Sequence, residues 1–395
     1  MTDADSNSAC PCESGLPFSA CCGVENKKAV NADIVAAVAE NGVVSKRELT
    51  PQIQSAIASI SGNPDLFPVR INFFDKKAWF VKMSPRWYRE SVFLDPGRIK
   101  GTLVVEYDLA RLEEVSKDIP WQPTSYIFHT AFCGSTLMSQ ALDALFNCLP
   151  LREPEVLGNA LVYQRSQAAT ENKQVWLDGV LKLLSRRYAA RQAVVVKTND
   201  YANPLIMDVA KSEYQIPVLF MYTPLSDFLS GCLKANNRRE WIAQRYSSVV
   251  KLVPQWLNIP ADFSITEDAY GKMAAVYWSY NVALYLEAAR DLSIRTRSLD
   301  FNSMLAKPAE AVAAAGKLFN LDPLNNVNVA EQIQQLFGVY SKNNKLTYSP
   351  EQRYNEINKL LKQHQGELDD AELLAQQLLG DRYPYNGLPQ GLLDA

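Results

Sequence analysis

Hydrophobic and polar positions fall into distinct regimes along this chain. Between residues 125 and 319, short consecutive apolar runs alternate with longer stretches whose apolar positions recur every three or four residues. Alternating β-formers at 125–129, a buried run at 192–199, an apolar run at 216–222, a short strand with a charged exit at 294–300 and a strand end at Leu151-Arg152-Glu153 broken by Pro154 predict the strands. Intervening periods predict helices at 137–145, 174–190, 270–291 and 308–319, plus one that carries Ser230 and Lys234. Strands alternating with helices in this way imply a parallel α/β sheet in three layers. Upstream, residues 29–40 and 48–60 predict short helices, and 69–74, 78–81 and 91–94 predict short strands separated by turn residues. Downstream, Ser349-Pro350-Glu351 opens a helix, and 381–395 reads as an extended or frayed end.

Composition narrows the picture. The 395 residues are 47% hydrophobic and carry a net charge of -3, so the chain can bury a large core and offers no general attraction to nucleic acid or an anionic membrane. Residues 69–94 mix aromatics with Arg70, Lys76, Lys77, Lys82, Arg86 and Arg89, which suits either a nucleic-acid surface or a sheet with one solvated basic face. The balanced charge favours the sheet. No apolar run reaches the roughly 20 residues of a membrane span, and Met1-Thr2-Asp3-Ala4-Asp5-Ser6 lacks the basic start of a signal peptide, so cytoplasmic residence is expected.

Chemistry concentrates after the strand at 125–129. Ala131-Phe132-Cys133-Gly134-Ser135-Thr136 is a tight loop feeding a helix, and such a loop presents backbone N–H groups and the positive end of a helix dipole to an anion. Cys133, Gly134, Ser135 and Thr136 are the expected cofactor-binding residues, with Gly134 allowing close approach and the two hydroxyls adding donors. No Lys follows Gly134, so the Walker pattern of nucleotide kinases is not met.

The segment resembles the 5′-phosphosulfate loop of the sulfotransferase superfamily. Gly134, Ser135 and Thr136 match that motif, and Phe132 takes the place of its usual cation. Two further segments are similar to the same family, in the same order. Lys197-Thr198-Asn199 resembles its Lys-Thr-His strand end, with Asn199 in place of the His. Pro224 and Ser230 match its 3′-phosphate-binding segment, with Tyr222 in place of the Arg and with Arg238 and Arg239 following. The polar loop containing Lys342 sits where the family closes a basic loop over the 3′-phosphate. The resemblance implies a P-loop three-layer α/β/α fold and transfer of a sulfuryl group from 3′-phosphoadenosine 5′-phosphosulfate to an acceptor hydroxyl or amine. Lys197 would then face the leaving oxygen, and the acceptor's proton would go to Glu153 in preference to Glu155, Asp200 or His129. Two other readings stay open: a nucleotide-dependent kinase, for which Asp200 is the magnesium candidate, and a non-catalytic binding protein.

At the N-terminus, Cys10, Cys12, Cys21 and Cys22 account for four of the seven cysteines, in a stretch punctuated by Pro11, Gly15, Pro17 and Gly23. Four thiolates complete a tetrahedral zinc shell, and in a reducing compartment metal binding is favoured over a disulfide, with redox-active cysteines as the alternative. The spacing Cys-x-Cys, eight residues, Cys-Cys resembles the SEC-C motif, which implies an accessory knuckle and a protein partner. The expected organisation is a knuckle at 1–25, helices and short strands at 26–120, a sulfotransferase-like core at 121–320 and a helical region at 321–395. Metal analysis of the purified protein is expected to return zinc that the combined Cys21→Ser and Cys22→Ser substitutions remove. The main thermal transition should stay in place, because about twenty residues without a core depend on the metal while the body does not.

Overall fold

The structure is a computed structural model that describes residues 64–101, 104–109, 112, 116–166, 173–260, 263–291, 295–340, 343–347 and 350–394. The four knuckle cysteines and Lys342 lie outside these residues, as do the expected helices at 29–40 and 48–60.

Leu66–Asn72 (β1), Lys77–Lys82 (β2) and Val104–Asp108 (β3) form an antiparallel sheet in that order. Five further strands, Thr124–His129 (β4), Cys148–Arg152 (β5), Ala193–Lys197 (β6), Val218–Tyr222 (β7) and Thr296–Asp300 (β8), make a parallel sheet in the order β5-β6-β4-β7-β8, flanked by helices. Strands following β4 are laid first to one side of it and then to the other, so the winding reverses direction at β4. The helices are Pro85–Glu90 (α1), Ser135–Leu145 (α2), Glu155–Arg165 (α3), Lys173–Ser185 (α4), Ile206–Lys211 (α5), Leu225–Leu233 (α6), Asn236–Val249 (α7), Tyr270–Asp291 (α8), Phe301–Ala306 (α9), Pro308–Leu318 (α10), Val329–Phe337 (α11), Pro350–Gln363 (α12) and Gln365–Leu379 (α13). Among the described residues no helix is long and apolar enough to cross a membrane.

The chain divides into two compact units of interleaved segments. The first takes in the described chain up to Ser125 together with Phe146–Asn199 and Leu321–Pro323. In it, β5 and β6 pair in register from Cys148 with Ala193 to Arg152 with Lys197, every residue buried, and each strand is uncharged up to its basic last residue. The expected strand at 91–94 is absent. Ser84 caps α1 through its Oγ and Ser91 ends that helix, after which the Leu94 N–H donates to the Arg152 carbonyl at 2.7 Å. The third strand is instead β3, which the sequence reading had not singled out. The basic residues of this stretch do not share one sheet face, since Arg86 lies on α1, and two of them carry counter-charges: Lys77 pairs with Glu106 at 2.5 Å and Arg86 with Glu90 at 2.5 Å. At the back of the unit Arg186 is fully buried, donating to the Leu66 and Leu183 carbonyls, and burial lowers its pKa to about 10.

The second unit comprises Tyr126–Leu145, Asp200–Asn320 and Leu324–Ala395. Within it β4 pairs with β7 and β7 with β8, both parallel. The long α8 spans the expected range, and its predicted apolar face of Tyr277, Trp278, Asn281, Leu284, Tyr285 and Ala288 is buried. The chain end is not frayed. Ser298 donates its N–H to Gln390 and accepts from the Leu392 N–H at 2.7 Å, Tyr285 donates to the Pro389 carbonyl at 2.7 Å, and Leu388 and Leu392 are buried. The tail thus occupies the free edge of β8, an unpaired strand edge that needs covering. Leu388→Ala is expected to cost about 2–5 kcal/mol in denaturant unfolding. An unchanged midpoint would mean that the tail does not hold this edge.

Candidate functional site

The strand β4 delivers the loop. All six of its residues are buried, and the Thr130 N–H continues the ladder to the Met221 carbonyl at 3.1 Å. Beyond it the backbone turns sharply: Ala131, Phe132 and Gly134 have φ of 69°, 53° and 71°. Two non-glycine residues in the left-handed region are sterically costly and persist only where their surroundings impose them. Here the imposition comes from side chains. The Ala131 N–H donates to His129 Nδ1 at 3.0 Å, and the Phe132 ring packs between Phe228 and Trp241, centroids 5.7 and 5.0 Å away. Gly231 faces that ring, a Cβ there meeting Phe132 at 3.0 Å.

The loop opens into α2, which carries no acidic residue in its first turn. Among the described residues nothing accepts a hydrogen bond from the backbone N–H of Gly134, Ser135 or Thr136, and the hydroxyls of Ser135 and Thr136 have no partner although these residues are only 6% and 4% exposed. Five donors at the start of α2 are therefore without acceptors, three of them N–H groups of the kind that a helix start leaves free. Gly134 serves a different purpose from the expected close approach of a ligand. A Cβ at this position would lie 2.3 Å from the Phe301 ring and 2.8 Å from Met304, so the glycine makes room for α9 as well as allowing positive φ. Cys133 is buried, at 1% exposure.

His129 is gripped on both sides. Asn203 donates to its carbonyl at 2.8 Å and accepts from its N–H at 3.4 Å, and also donates to Asn281 at 2.7 Å. Because Nδ1 accepts from Ala131, the neutral ring carries its proton on Nε2, which makes His129 a donor in that direction rather than the base expected of it. Beside it Asp200 receives Arg245 in a two-pronged pair, Nε to Oδ2 at 2.6 Å and Nη2 to Oδ1 at 3.1 Å, and Tyr277 donates to Oδ2 at 2.8 Å. Burial works against the Arg245 charge, but the Asp200 carboxylate outweighs it and raises the pKa. Burial, reinforced by Asp200, pushes the Tyr277 phenol well up. Asp200 is thus fully engaged and is not a free ligand for magnesium. Among the described residues no group of three or more His, Cys, Asp or Glu could hold a metal.

Ser230, on α6, donates its hydroxyl to the Asp227 carbonyl at 2.8 Å, so its proton is not directed to a phosphate. Arg238 lies over the Phe132 ring, 4.4 Å from the centroid, and Arg239 over Tyr270 at 5.9 Å with its Nε buried and unpartnered. Arg353, on α12, donates to Asp227 at 2.8 Å and to Asn302 at 2.9 Å and stacks on Phe301 at 4.7 Å. Arg245, Trp241, Phe301 and Arg353 were missed by the sequence reading because nothing local marks them. Asn281, a polar residue on an otherwise apolar helical face, was the available signal.

In the first unit, Lys197 and Glu153 meet. The Lys197 amine is buried, pairs with the Glu153 carboxylate and sits 5.5 Å from the Phe93 centroid, while the Glu153 N–H donates to the Lys197 carbonyl at 2.6 Å. Glu153 has φ of 54°, a strained value that this double tie maintains. Asn199 has a buried Oδ1 without a partner.

Arg245→Met would leave Asp200 buried beside Tyr277 with no counter-charge. A loss of about 3 kcal/mol is expected in urea unfolding, at the low end for a buried pair because the Arg245 side chain is 22% exposed. No protein-family model matches this chain, and no curated protein matches it.

Proposed function

We propose that this protein is a sulfotransferase-like transferase whose loop at 131–136 binds the 5′-anion of a nucleotide cofactor, 3′-phosphoadenosine 5′-phosphosulfate. The observation that carries the reading is the set of five unaccepted donors at Gly134, Ser135 and Thr136, at the start of an eleven-residue helix. Donors of this kind suit the oxygens of a phosphosulfate, and the helix dipole favours the charge. The loop's place directly after a parallel strand adds support, since open α/β sheets bind ligands beyond the carboxyl ends of their strands.

The cofactor would supply a sulfuryl group that passes to an acceptor oxygen or nitrogen, leaving adenosine 3′,5′-bisphosphate, with the acceptor's proton released to a base. From its resemblance to the family, Lys197 is assigned to stabilise charge on the leaving oxygen, with Glu153 as the base. Both roles require their ion pair to open. A non-catalytic nucleotide-binding protein is the second reading, favoured by that same closed pair. The kinase reading is weakened by the capture of Asp200 by Arg245 and Tyr277.

Thermal unfolding with adenosine 3′,5′-bisphosphate, with ATP plus magnesium and with GTP plus magnesium tests the cofactor. Only the bisphosphate should stabilise, by about 2.7 kcal/mol at 100 times its dissociation constant. Thr136→Val, which removes a hydroxyl but keeps the shape, should weaken that binding about tenfold. Gly134→Val is unsuitable because it strikes Phe301 whether or not a ligand binds. Lys197→Met should then lower turnover of the phosphosulfate while leaving the dissociation constant unchanged, as expected for a group that acts on charge formed only in the transition state. Stabilisation by magnesium ATP instead would overturn the sulfuryl assignment, and binding without turnover in the wild type would favour the second reading.

A further inference from the structure

We infer that Arg238 is the cation of the 131–136 loop, held off the loop itself on the ring of Phe132 and aimed at the 5′-anion rather than at a 3′-phosphate. The inference rests on the reading of that loop as an anion site and extends it. Its starting point is an electrostatic misfit. Arg238 lies in the first turn of α7, where the helix dipole disfavours positive charge, and that turn contains no acidic residue to offset it. Among the described residues Arg238 has no ion pair and no side-chain hydrogen bond, although it is partly buried. What holds it is the face of Phe132, 4.4 Å from the guanidinium carbon.

Phe132 is itself built in. Its left-handed backbone and its packing against Phe228 and Trp241 fix the ring, so the guanidinium stacked on it has a defined place beside the loop. A planar guanidinium lying on an aromatic face keeps its N–H edge free, and that edge matches two oxygens of a phosphate or sulfate. The loop therefore gains a charge without any cation among residues 131–136. Two other arginines of this unit are committed elsewhere. Arg245 is spent on Asp200, and Arg353 on Asp227 and Asn302.

The test is calorimetric titration of wild type, Arg238→Ala, Arg238→Lys and Phe132→Leu with three probes: adenosine 5′-phosphosulfate, adenosine 5′-monophosphate and adenosine 3′-monophosphate. Arg238→Ala should weaken both 5′-probes tenfold or more and leave the 3′-probe unchanged. Arg238→Lys should recover part of the loss, since it restores charge but not the planar stack. Phe132→Leu should weaken the same two probes, and adding it to Arg238→Ala should cost little more, because one substitution removes the platform of the other. The ligand-free melting temperature of Arg238→Ala should be unchanged or higher, because an unpaired charge opposed to a helix dipole is removed. A structural residue would behave in the opposite way. Loss confined to the 3′-probe, or unchanged affinity for all three while Thr136→Val still weakens the 5′-probes, overturns the role of Arg238 and leaves the loop reading intact. Failure of the wild type to bind any 5′-probe overturns both.

Discussion

Asn203 holds both backbone polar groups of His129, and the loop depends on that grip. The side-chain amide does for the last residue of β4 what a neighbouring strand would do, satisfying its N–H and its carbonyl together. With the strand end fixed, His129 Nδ1 can receive the Ala131 N–H and hold the backbone in the left-handed region. Asn203 in turn is tied to Asn281, whose own amide donates to the Tyr277 carbonyl at 2.8 Å, one helical turn earlier. Tyr277 reaches Asp200, and Asp200 reaches Arg245. A fully satisfied buried network of this kind allows one arrangement and penalises the rest, since each broken link strands a polar group in a low dielectric.

Aromatic faces do a second job around the loop. Arg238 lies on Phe132, Arg245 lies near Trp241 and Tyr201 at 5.3 and 5.2 Å, and Arg353 lies on Phe301. Phe301 also closes against Gly134, so a single ring both seats an arginine and shapes the loop. Stacking places positive charge next to apolar surface without consuming its hydrogen-bonding edge. Two of the three guanidiniums then spend that edge on carboxylates. Arg238 alone among these three does not.

In the first unit the same economy takes another form. Lys197 and Glu153 meet across the ends of adjacent strands, and the backbone bond from Glu153 to the Lys197 carbonyl brings the two side chains together. The strained Glu153 is the cost of turning the carboxylate back onto the lysine. A buried ammonium needs such a partner, because the cost of burying it alone exceeds what packing returns.

The periodicity of the chain was enough to specify the parallel α/β architecture, the extent of α8 and the strand–loop–helix that carries Gly134, Ser135 and Thr136. These features depend on local patterns: unbroken apolar runs, spacing of three and four, and a turn beside a helix start. The sequence alone misread residues 91–94, because an apolar loop that follows a helix and an extended apolar strand look alike over four residues. It also left the chain end loose, since the partners of Leu388 and Leu392 lie far away in sequence. The stacking of Arg238 on Phe132 was out of its reach for the same reason. Phe132 and Arg238 are over a hundred positions apart in sequence, and only the packing of α7 against β4's loop brings ring and guanidinium together. Pairings of this sort are set by which elements share a surface, and no local preference of either residue encodes that.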